Sequence, residues 1–67
     1  MCESSVYLID EKGEEKLVFE GVNEVSSYGG GLCLENIFYQ RKYILAKIKE
    51  ISFLERKIIL ERIRKDE

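Results

Sequence analysis

A chain of 67 residues can close only one small core, and that limit constrains everything else it can do. A domain this short buries only about 60% of its unfolded surface, so natural examples add a disulfide, a metal or a second subunit. The sequence therefore predicts a single domain and favours a homodimer. Hydrophobic residues at 45% and charged residues at 36% fit a folded chain rather than a disordered one. The formal net charge of -2 leaves no overall basic footprint, so nucleic acid is not expected as a partner.

The N-terminus lacks a basic stretch followed by an apolar core, and no apolar run approaches the roughly 20 residues that span a bilayer. A cytoplasmic location without a membrane partner is expected. In that reducing compartment Cys2 and Cys33 are read as a metal ligand or buried thiol, not as a structural bridge.

Cys2 to Ile9 places Val6 and Leu8 on one parity and Tyr7 and Ile9 on the other, which predicts a strand. Asp10-Glu11-Lys12-Gly13 follows as a turn. Lys16 to Phe19 predicts a second strand, with Gly21 as a bulge or bend before Val22 and Val25. Gly29-Gly30-Gly31 predicts another turn, and Leu32-Cys33-Leu34 the strand after it. No helix carrying Lys and Ser or Thr follows these glycines, so no phosphate loop is read.

The second half is open to two readings. Ile44, Ile48, Ile51 and Ile58 lie on one helical stripe, with no glycine or proline after Gly31 to interrupt it. Against a helix stand the density of Ile, Tyr and Phe, and a possible hairpin over Phe53 to Leu60 turning at Leu54-Glu55-Arg56-Lys57.

The opening MCESSVYLID, the central LCLENIF and the closing AKIKEISFLERKIILER together resemble the CooT family of small nickel-binding proteins associated with maturation of carbon monoxide dehydrogenase. The shared features are Met1-Cys2, the Tyr7-Leu8 pair near the end of the first strand, and the hairpin segment Leu54 to Ile58. Tyr39 and Ala46 stand where the resemblance leads one to expect glycine in many relatives, so the backbone near these two positions is expected to differ. The resemblance implies an all-β protein, a small SH3-like β barrel over residues 1–61 that forms a homodimer, with a charged tail at 62–67. It implies Ni(II) held at the dimer interface by Met1 and Cys2, and a partner that is a nickel enzyme or its maturation proteins. A barrel also requires a bulge near Lys49-Glu50, because Ile48 and Ile51 are three apart and an unbroken strand alternates strictly.

The residues suit that implied chemistry. The chain has no histidine, so sulfur and backbone nitrogen must supply the donors. With Met1 in place, its α-amine, the deprotonated amide of Cys2 and the Cys2 thiolate form two fused chelate rings in one plane. Planar nitrogen and sulfur donors suit Ni(II) or Cu(II) better than tetrahedral zinc. With Met1 removed, Cys2 offers its own amine and thiolate, and two chains complete a set of four.

Glu3 adjoins the thiol, but strand alternation turns its side chain the other way, so it is left out of the ligand set. Glu14, Glu15, Glu20, Glu24 and Glu35 read as a solvated face, and Cys33 as a small packed thiol. Tyr28, Phe38, Tyr39 and Tyr43 read as core or subunit interface rather than as base-stacking groups. No nucleophile and base pair is visible without histidine, so an enzyme is not expected. Two alternatives stand beside the nickel protein: a hydrogenase-assembly chaperone like the HypC family, which also begins Met-Cys on a small barrel, and a small RNA-binding barrel.

Overall fold

The computed structural model describes residues 3–63. Every segment dense in β-branched and aromatic residues forms a strand: β1 (Ser4–Ile9), β2 (Glu15–Tyr28), β3 (Gly31–Asn36), β4 (Arg41–Ile44), β5 (Ala46–Ser52) and β6 (Lys57–Arg62). They make one sheet in the order β4-β3-β2-β1-β6-β5. The protein is all-β, as the resemblance implies, and the sheet curls into a half-barrel.

The curl starts at Gly21, whose φ of 67° is open to glycine at little cost. Up to that point β2 pairs with β1, Ile9 opposite Glu15 and Val6 opposite Phe19. Beyond it β2 pairs with β3, Val25 opposite Leu34 and Tyr28 opposite Gly31. Register shifts on both sides of the bend let one long strand serve two directions.

Closure needs a second bend. The edge strands β4 and β5 are joined by Leu45 alone, so the chain passes directly from one edge of the sheet to the other. Gly31 lies against this crossing: a Cβ there would stand 2.5 Å from the Ile44 carbonyl oxygen and 3.0 Å from the Leu45 Cα. Only glycine fits without moving backbone.

Val6, Val22, Leu34, Ala46, Ile58 and Leu60 are buried inside the curl, with Leu8, Val18, Phe19, Val25, Leu32 and Ile44 packed around them. The helical stripe of the second half does not form. Ile48 pairs with Leu60 and Ile51 with Ile58, and the shift between Ile48 and Glu50 is the bulge a barrel requires. That extra residue puts two isoleucines three apart on one face, which is why they imitate a helix.

Tyr39 has a φ of 64°, the left-handed conformation that glycine favours. Ala46 is buried at 1% exposure beside the crossing, where little room is left for a larger side chain. Asn36, buried at 4%, organises the turn before β4: its Oδ1 accepts from the Phe38 and Gln40 amides, and its Nδ2 donates to Gln40 Oε1 at 2.8 Å.

Gly31→Ala is expected to lower stability by about 1–3 kcal/mol, because the added methyl has backbone on the other side and no flexible chain to displace. Urea unfolding followed by circular dichroism checks this; an unchanged midpoint would mean that the crossing is not closed at this point.

Candidate metal centre

The first strand of the chain is an interior strand. β1 is bonded to β2 on one side and runs parallel to β6 on the other, and Val6 at its centre is fully buried. At its N-terminal end Ser4 lies opposite Val22 and Ser5 opposite Lys57. The Ser5 amide also donates to the Arg56 carbonyl at 2.9 Å. The chain therefore enters the sheet at a corner fixed by the bend of β2 and the β5–β6 turn.

Met1 and Cys2, the residues expected to hold the metal, lie outside the described residues. Glu3 is the described residue next to them. It is half-buried, and its Oε1 is shielded from solvent without a hydrogen-bond partner among the described residues. A buried carboxylate oxygen left unpaired is costly, and a neighbouring cation offsets that cost. Sequence reasoning set Glu3 aside because alternation shows only direction, and the shielding of its oxygen depends on tertiary packing.

Two of the carboxylates read as a solvated face are in ion pairs, Glu15 with Lys57 at 2.7 Å and Glu35 with Arg41 at 2.9 Å, and Glu61 meets Lys47 at 3.7 Å. The Glu15 hydrogen bond raises the Lys57 ammonium above its usual pKa, and the Glu35 hydrogen bond does the same for the Arg41 guanidinium. Among the described residues no group of three or more His, Cys, Asp and Glu side chains is placed to hold a metal.

Cys33 is a half-buried free thiol on the outer face of the sheet, opposite Ser26 on one side and Tyr43 on the other. Tyr28 and Tyr43 stand beside it with ring centroids 4.8 Å apart. Of the two places expected for Tyr28, Phe38, Tyr39 and Tyr43, core or subunit interface, the core is corrected: all four are exposed in the single chain, at 63%, 72%, 85% and 56%. Their parity places Tyr28 and Tyr43 on the outer face, and the Asn36 turn carries Phe38 and Tyr39 outward.

Cys33→Ser is expected to change stability by less than about 1 kcal/mol, because the thiol is only half-buried and outside the core. A shift of several kcal/mol in urea unfolding would place it in a tighter environment.

Comparison with known proteins agrees over nearly the whole chain. The family model described as CO dehydrogenase accessory protein CooT matches residues 1–61. A crystal structure from Carboxydothermus hydrogenoformans, described as that of a CooT, shares 41% sequence identity. The match covers 94% of this chain and 100% of that one, with a TM-score of 0.86. No curated protein matches the chain.

Proposed function

The chain belongs to the CooT family of CO dehydrogenase accessory proteins, and from that premise we propose that its homodimer binds Ni(II) at the paired N-termini, through Met1 and Cys2, and takes part in maturation of a nickel enzyme such as carbon monoxide dehydrogenase. The observation that carries this reading is the extent of the family match, which begins at residue 1 and so includes Met-Cys, in a chain without histidine. The metal is cargo for another protein, and this chain's task is to hold it.

The division of labour follows from the donors. The Cys2 thiolate anchors the ion, and the α-amine and the Cys2 amide complete planar chelate rings. Strand β1, bonded on both sides, fixes where the motif leaves the sheet. The unpartnered Glu3 oxygen adds negative potential close to the bound cation. An ion shared by two chains takes two donors from each, and with Met1 removed these are the Cys2 amine and thiolate. The other two readings lack such support: the family that matches is CooT, and Arg41, which lines the same hollow as Tyr28 and Tyr43, is engaged by Glu35.

Cys2→Ser is expected to abolish tight nickel binding while Cys33→Ser leaves it intact, read by equilibrium dialysis with metal analysis. Extending the N-terminus by one residue is expected to weaken binding strongly without altering the β-sheet spectrum, because the primary amine moves away from the chelate. Amine, amide and thiolate all bind deprotonated, so nickel is expected to leave as pH falls through the range near 8 where free amines and thiols titrate. An extended protein with native affinity and an unchanged spectrum would remove the amine from the ligand set.

A further inference from the structure

Strand β5 is bonded to β6, and among the described residues no strand lies beyond it. Its outer edge therefore presents a row of backbone N–H and C=O groups without partners in the sheet. The core does not end cleanly at this edge. Ile48 and Ile51 face the same side as the buried Leu60 and Ile58, yet each stays more than two-fifths exposed because no neighbouring strand covers them. Charge marks the same stretch: residues 41–52 carry Arg41, Lys42, Lys47 and Lys49 against Glu50 alone, in a chain whose net charge is -2.

We propose that the β5 edge takes up an extended segment of another protein, one that alternates apolar and acidic residues, as a further strand of the sheet. Each feature of the edge specifies one feature of this occupant. An unpaired ladder bonds a segment that is itself extended. Ile48 and Ile51 require apolar side chains on the face that turns into the curl. Lys47 lies on the opposite face, across from Glu61, and Lys49 is the extra residue of the bulge, so carboxylates are required on the other parity. Both cations are available: Lys47 meets Glu61 only at 3.7 Å, and Lys49 is in no ion pair among the described residues.

The same charges turn away a second copy of this edge. Lysines and a bulge on an edge strand are devices by which sheets avoid pairing with themselves, and two β5 edges brought together would set Lys47 and Lys49 against their own images. An acidic strand converts that repulsion into attraction, so the edge discriminates between its own kind and its partner. The bulge lies between Ile48 and Glu50 and leaves the ends of the strand regular on either side. An accessory protein acts on another protein, and an edge that reads backbone and charge pattern together gives it a place to hold one. The proposal does not rest on the nickel reading, since no residue of β5 is among the proposed donors.

The test is an NMR titration of the isotope-labelled, metal-free protein with a synthetic peptide of alternating valine and glutamate, matched to the 7 residues of β5. Amide shifts are expected to be largest along Ala46–Ser52, and a peptide with lysine in place of glutamate is expected to bind roughly tenfold more weakly. Both lysines are exposed, so K47E/K49E is expected to keep its β-sheet spectrum and to invert the preference, taking the lysine peptide and losing the glutamate one. If that variant does not fold, Lys49→Gln decides: weaker binding of the glutamate peptide supports the edge, and unchanged binding overturns it. The proposal also falls if the glutamate peptide produces no shifts, if a scrambled glutamate peptide without alternation binds as well, or if the shifts are largest on β4. Sedimentation completes the test: a dimer that the peptide splits into monomers would show that the edge was occupied by a second copy, which overturns the proposal. Dialysis of the same protein against nickel keeps the two readings apart, because a chain that takes the peptide but no nickel upholds the edge and removes the nickel reading alone.

Discussion

The parallel pairing of β1 with β6 holds the N-terminal end of β1 in place. It sets Val6 beside Ile58 and Leu8 beside Leu60, so the interior of the curl is built along this seam. It also puts Ser5 beside Lys57, and so brings the start of β1 to the β5–β6 turn. A strand bonded on one side only could fray from its end, whereas β1 would have to break two ladders. The proposed metal motif at residues 1 and 2 would thus precede a strand that the whole sheet positions.

The same architecture leaves much apolar surface uncovered. With β4 and β5 as edges, the interior-facing Ile48 and Ile51 have no strand beyond them, and the turns hold Phe38, Tyr39, Phe53 and Leu54 outward. One small sheet cannot cover itself on every side. The small size of the chain favours a second copy, and exposed apolar residues are what the proposed homodimer would cover.

The first half of the fold was legible because glycine punctuates it. Gly13, Gly21, Gly29 and Gly30 all take positive φ, and the strands between them alternate clearly enough to be read. The second half was not legible from its residues. The bulge at Lys49 gives Ile48 and Ile51 a helix-like spacing, and the hairpin turn carries Phe53, Leu54, Glu55 and Arg56, with neither glycine nor proline to mark it. Arg56 takes the positive φ of 55° where a glycine would have signalled the turn. The ordering of the strands and the role of Asn36 depend on contacts far apart in sequence; for Asn36 the one local hint is that asparagine favours turns. As for the site, Met-Cys pointed to metal through resemblance alone, and the shielding of the Glu3 oxygen could come only from the packed structure.

The central claim is that two N-termini share one nickel through thiolate and nitrogen donors. Titration of the metal-free protein with Ni(II), followed by ultraviolet absorption and by the protons released, tests it most directly. The account predicts saturation at one nickel per two chains, a thiolate-to-nickel charge-transfer band that grows in step with binding, and proton release that diminishes as the starting pH rises. Saturation without a thiolate band, or nickel bound independently to each chain, would contradict it.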